Sequence, residues 1–147
     1  MYGTTVPPRG QSISMQNTDI NELPKGRSET ILVAEDDEML RKLAGTVLSK
    51  YGYTAILAED GDDAIKKFKT HKDVIRLLVL DMSMPGKSGR EAYDVIKTLK
   101  PDIRTLFTSG YAGDSLKESI LDLQIDFLPK PFSPVDLLKK IRDILDR

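Results

Sequence analysis

The sequence predicts an α/β domain with a doubly wound, five-stranded parallel sheet flanked by five helices. Two observations carry that prediction. From Thr30 onward, short apolar runs alternate strictly with amphipathic stretches, the pattern of successive β-α units. The run from Ile75 to Leu80 is the most apolar of the chain, as befits a central parallel strand covered on both faces. About 118 residues follow the first 29, enough for one compact domain. In such a sheet, ligands bind beyond the carboxyl ends of the strands.

Residues 1–28 carry three prolines, three glycines and many Ser, Thr and Asn, with isolated apolar residues at no regular period. They read as a linker or tail, with the domain spanning 29–147. The run Ile31-Leu32-Val33-Ala34 predicts the first strand and halts at Glu35-Asp36-Asp37-Glu38. Leu40, Leu43, Ala44, Val47, Leu48 and Tyr51 then recur at helical spacing until Gly52. Tyr53 to Ala58 predicts a second strand, and Asp60-Gly61 turns into a helix carrying Ala64, Ile65 and Phe68. The third strand, Ile75 to Leu80, ends at Asp81. Gly86 and Gly89 precede a helix with Ala92, Val95, Ile96 and Leu99, which must stop ahead of Pro101. Thr105 to Ser109 is the fourth strand, Leu116 to Leu123 a weaker helix, and Ile125 to Leu128 a short fifth strand. Ser133-Pro134 then opens the last helix, with Val135, Leu138, Ile141, Ile144 and Leu145 on its apolar side.

Composition removes several kinds of chemistry. The chain has no cysteine and one histidine, which excludes disulfides, zinc-thiolate sites, thiol nucleophiles and two-histidine mechanisms. Its 22 Lys and Arg against 23 Asp and Glu leave a formal charge of -1, so no broad field draws nucleic acid or anionic lipid. No apolar run approaches the roughly 20 residues of a membrane span, and the N-terminus lacks a signal-peptide pattern. A cytoplasmic protein with no membrane contact and no direct nucleic-acid partner is expected. Carboxylate, hydroxyl and amine chemistry remains.

Those groups collect where the strands end. Glu35 and Asp36 follow the first strand, Asp81 the third, Ser109 the fourth and Lys130 the fifth. All should face one crevice. Three crowded carboxylates raise one another's pKa unless a divalent cation or a cationic side chain compensates them. All-oxygen ligation favours magnesium, and Lys130 supplies a point charge suited to a phosphoryl oxygen. Taken singly, each residue has a blander role: Glu35-Asp36 as a helix cap, Asp81 and Ser109-Gly110 as turn residues, Lys130 as solvated surface and Phe127 as core.

The segments ILVAEDDEMLR, LLVLDMSMPGKSG, TLFTSGYA and FLPKPF occur in that order, and with them residues 30–147 resemble the receiver domain of two-component response regulators. The resemblance implies a flavodoxin-like fold. It also implies that Asp81 accepts a phosphoryl group from a histidine kinase or histidine phosphotransfer domain. Asp36, Asp81 and the Ser83 carbonyl would ligate Mg2+, with Mn2+ as the alternative ion and Glu35 acting mainly through bound water. Ser109 and Lys130 would grip the phosphoryl oxygens, and Phe127 would be the aromatic switch. The surface of the fourth helix, fifth strand and fifth helix would then engage a downstream protein, and it is compatible with dimerisation. Ser83 and Tyr111 stand where the family tunes hydrolysis of the acyl phosphate, and a cis peptide is implied at Lys130-Pro131.

Other motifs fail on inspection. Gly86-Lys87-Ser88 ends like a phosphate-binding loop, but Asp81 replaces its first glycine; a serine-hydrolase elbow at Ser109 has Phe107 in place of its first glycine. His71, in a charged helix end, reads as solvated. An aspartyl-phosphate phosphatase would need an acid two residues after its nucleophile, where this chain has Ser83. A non-phosphorylated scaffold would have lost an acidic or lysine position, and none is lost. The expectation is a phosphoacceptor signalling domain, not a metabolic enzyme. The segments TSGYA and LPKPFSPVDLLKKIRDIL are similar to receivers of hybrid histidine kinases, which implies a module of such a kinase; a freestanding single-domain regulator is the alternative.

Overall fold

The computed structural model describes residues 23–110 and 126–147. Its strands are β1 (Thr30–Ala34), β2 (Thr54–Ala58), β3 (Ile75–Asp81), β4 (Arg104–Ser109) and β5 (Asp126–Pro129). The helices among the described residues are α1 (Glu38–Lys50), α2 (Gly61–His71), α3 (Gly89–Leu99) and α4 (Pro134–Leu145). All strands run parallel in one sheet of order β2-β1-β3-β4-β5. The order reverses direction after β2, which makes the sheet doubly wound. The helix expected over Leu116 to Leu123 lies outside the described residues. No helix among the described residues is long and apolar enough to cross a membrane.

Strand parity sorts the core into two layers, because successive side chains point to opposite faces. Leu32, Leu78, Leu80 and Phe107 face α2 and α3, where Phe68, Tyr93 and Ile96 meet them. Ile31, Val33, Leu77, Val79 and Leu106 face the other way, onto Leu48, Leu138 and Ile141 of α1 and α4. Burial of consecutive β3 residues on opposite faces explains why its sequence does not alternate. Side chains fix the helix starts: Asp37 caps α1 and Asp60 caps α2, while Ser88 with Glu91 and Ser133 with Asp136 form capping boxes at α3 and α4.

Two features depart from the expected pattern. Residues 23–28, read from composition as the end of a linker, lie against the domain. Leu23 is buried beside the α1–α4 layer, and the Gly26 and Ser28 amides donate to the Tyr51 and Gly52 carbonyls. Arg142 fastens this strap by donating to the Lys25 carbonyl, Glu29 and the Tyr53 hydroxyl. Gly52, at φ +94°, leaves the Gly26 carbonyl room to approach. The second departure is at α1, where Leu40 and Leu43 of the apolar stripe are 41% and 51% exposed. They rim an apolar groove of about 340 Å³ between α1 and the start of α4.

Close packing also fixes the loop after β3. A Cβ on Gly89 would lie 2.3 Å from the Asp81 carbonyl oxygen, a backbone atom with no freedom to swing away. Gly89→Ala should therefore lower unfolding stability by about 1–3 kcal/mol, the usual cost of forced overpacking. Urea denaturation of the two proteins checks this, and an unchanged midpoint would contradict it.

Candidate functional site

The parallel register lines up the polar residues. Ala34 pairs with Leu80, Asp81 with Thr108 and Ser109 with Pro129, so Glu35, Asp81, Ser109 and Lys130 leave the sheet along one edge. Two backbone bonds hold the neighbouring turns: the Met82 amide donates to the Thr108 carbonyl at 2.8 Å, and the Lys130 amide to the Ser109 carbonyl at 2.9 Å. The Lys130-Pro131 peptide is cis.

Lys130 sits between the acids. Its Nζ donates to Glu35 Oε1 at 2.5 Å and to Asp81 Oδ2 at 3.1 Å. The other Asp81 oxygen accepts the Ser83 amide at 2.9 Å. Ser83 Oγ and Ser109 Oγ are hydrogen-bonded at 3.1 Å. Glu35, Asp81 and Ser109 are buried, whereas Asp36 and Ser83 are exposed at the mouth. Phe127, on β5, is half-buried against the α2–α3 layer and not within the acidic cluster. Tyr111 lies outside the described residues.

Burial pushes Glu35 up to about 7; Lys130 and the Asp37 amide oppose that rise, and Asp81 adds to it. Burial acts on Asp81 in the same sense, but the Ser83 amide, Glu35 and Lys130 outweigh it and hold Asp81 below its ordinary value. Lys130 is raised: burial disfavours its charge, and the two carboxylates more than offset that. Asp81 is thus kept ionised while Glu35 bears much of the cost of crowding.

Glu35, Asp36 and Asp81 each present a carboxylate oxygen within 4.8 Å of the others. A donor set made only of oxygens, with one acid open to solvent, fits a hard divalent cation that retains several waters. Sequence reasoning did not single out Arg41, whose Nη1 donates to the Glu35 carbonyl at 2.8 Å and the Asp36 carbonyl at 3.3 Å. The only signal was its spacing, five residues after Asp36.

Residues 31–142 match the family model described as the response regulator receiver domain. The chain is 38% identical over 120 residues to the response regulator RR06 of Streptococcus pneumoniae, covering 80% of this chain and 53% of that protein. It is 31% identical over 121 residues to the sensor kinase CckA of Brucella abortus, covering 82% of this chain and 13% of CckA. The chain therefore spans about half of one relative and a small part of the other. A CheY-like receiver domain from Methanospirillum hungatei JF-1 superposes with a TM-score of 0.74 at 26% identity, covering 80% of this chain and 94% of that one. The family match, the parallel sheet and the aligned acidic edge agree: this chain belongs to the response regulator receiver domain family.

Proposed function

We propose that the chain is a Mg2+-dependent phosphoacceptor that takes a phosphoryl group from a phosphohistidine onto Asp81. The observation that carries this reading is the setting of Asp81: a buried carboxylate held ionised, with Lys130 on one oxygen and two further acids within 4.8 Å. One Asp81 oxygen attacks phosphorus as the phosphorus–nitrogen bond to the donor imidazole breaks. The product is an acyl phosphate, and the imidazole keeps the electron pair. An ionised nucleophile needs no general base, so the protein's task is to align oxygens and spread charge.

Glu35, Asp36 and Asp81, with the Ser83 carbonyl, would hold the cation, which supplies charge neutralisation at the phosphoryl oxygens when bound. Lys130 stays cationic and is free to exchange a carboxylate for a phosphoryl oxygen. Ser109, one strand over, offers its hydroxyl to the same group, and Ser83 and Tyr111 would govern the approach of hydrolytic water. Because the Ser109 carbonyl accepts the Lys130 amide, movement at Ser109 is passed to β5, Phe127 and the start of α4, whose surface a downstream protein would read. Phe127, packed half-buried on the α2–α3 side, is the aromatic proposed to move with Ser109. The apolar groove beside the site includes Glu35 and Lys130 in its lining. A surface of the phosphodonor would rest there while its histidine reaches Asp81.

Donors are a histidine kinase or a histidine phosphotransfer domain in the cytoplasm. The match to one segment of CckA favours a module of a hybrid kinase. The second reading is a freestanding single-domain response regulator acting by protein binding; the match to RR06 supports its response-regulator class.

Incubation with Mg2+ and a small phosphodonor, followed by intact mass, should show one labile phosphoryl gain. Asp81→Asn or a chelator should abolish it. A gain that persists in Asp81→Asn would contradict the assignment. Should small donors fail, a phosphorylated histidine kinase serves as donor; no transfer from it to a protein that binds Mg2+ would favour the scaffold reading.

The carboxylates also set a pH dependence. Glu35 titrates near 7 in the folded protein and near its ordinary 4.5 when unfolded. Between those values the folded state holds the extra proton, so stability falls as pH rises. Asp81 shifts the opposite way, below 3.8, and its contribution is lost only on acidification beneath that window. Metal-free protein should therefore lose stability from about pH 4.5 to 7, and Glu35→Gln should flatten the slope. Thermal melts across the window check this; an equal slope in the variant would contradict it.

A further inference from the structure

Arg41 occupies the fourth position of α1, at the helix's positive end, where a cationic side chain is disfavoured by the helix dipole. Among the described residues it makes no ion pair, and its guanidinium instead reaches back across the turn. There Nη1 donates to the carbonyl oxygens of both Glu35 and Asp36, at 2.8 and 3.3 Å. The guanidinium thus bridges the backbone of two consecutive residues whose carboxylates point to Asp81. At the same turn the Asp37 amide donates to Glu35 Oε2 at 3.1 Å and the Asp37 carboxylate caps Leu40. Only Arg41 ties the Asp36 backbone to the helix through a side chain among the described residues.

We infer that Arg41 is a positioning residue for the divalent-cation site: it clamps the β1–α1 turn so that the Glu35 and Asp36 carboxylates converge with Asp81. Charge-assisted bonds to two adjacent carbonyls resist rotation of the peptide between them, and that rotation is what would swing the exposed Asp36 carboxylate away. Partners that orient metal ligands from behind typically change metal affinity by about 10–100-fold when removed. The inference rests on the cation-site reading of the preceding subsection.

The sign of the effect separates positioning from simple electrostatics. Arg41 is a cation near a cation site, so Coulomb repulsion alone predicts tighter metal binding once it is removed. Clamping predicts weaker binding. The test is a Mn2+ titration of the full chain without phosphodonor, following free Mn2+ by its paramagnetic resonance signal. Wild type, Arg41→Ala, Arg41→Lys and Asp36→Asn are compared, with the thermal midpoint of each metal-free protein.

Arg41→Ala should weaken Mn2+ binding about tenfold or more at a temperature where it remains folded. Arg41→Lys, which keeps the charge and loses the planar fork, should recover only part of the affinity. Unchanged or tighter binding in Arg41→Ala would overturn the inference while leaving the cation site standing. Wild type that binds no Mn2+, or binds it equally well as Asp36→Asn, would overturn the cation-site reading itself and the inference with it. If Arg41→Ala does not fold, Arg41→Lys decides: wild-type affinity there would overturn the inference.

Discussion

The site depends on one cation, the Lys130 ammonium lodged between Glu35 and Asp81. Two carboxylates with side chains only 8% and 3% exposed could not both ionise there without it, since burial and mutual repulsion favour protonation. Lys130 allows Asp81 to remain a carboxylate, and the remaining strain falls on Glu35. The same contact ties β5 to β1 and β3 across the sheet's carboxyl edge. The ionised state of Asp81, the charge compensation and the link to the fifth strand therefore rest on one side chain, and any group that draws Lys130 away from Asp81 also pulls on β5.

The parallel sheet makes this arrangement possible. Five strands ending at one edge bring together residues separated by as many as 95 positions, and register decides which side chains meet. The opposite edge carries a different polar cluster, in which Arg142 joins Glu29, Asp146, the Tyr53 hydroxyl and the Lys25 carbonyl. Polar chemistry at one end is matched by a structural clasp at the other, with the two apolar layers between them.

Much of this was legible in the sequence. The apolar run of β3 announced a strand buried on both faces, and abrupt polar stops marked the edge holding Glu35, Asp36, Asp81, Ser109 and Lys130. Ser133-Pro134 announced the start of α4, where Ser133 caps and Pro134 occupies the first turn. What escaped was set by tertiary contacts. Leu23 sits amid polar residues with no periodicity, and its burial rests on the α1–α4 layer, while its segment is fastened at Lys25 by Arg142, more than a hundred positions away. Leu40 and Leu43 fit the helical stripe, yet spacing alone cannot tell whether a helix's first turns lie flat on the sheet or border a groove. Arg41 escaped because its spacing from Asp36 does not reveal that its long side chain bends back onto the turn.

The proposed role of Asp81 as phosphoryl acceptor is open to acyl-phosphate chemistry. Borohydride reduces an aspartyl phosphate to homoserine, a permanent mark that peptide mass spectrometry can place. After incubation with Mg2+ and phosphodonor, homoserine is expected at position 81 and at no other aspartate. Homoserine at Asp36 or elsewhere, or an unreduced Asp81 in protein that has gained a phosphoryl group, would contradict it.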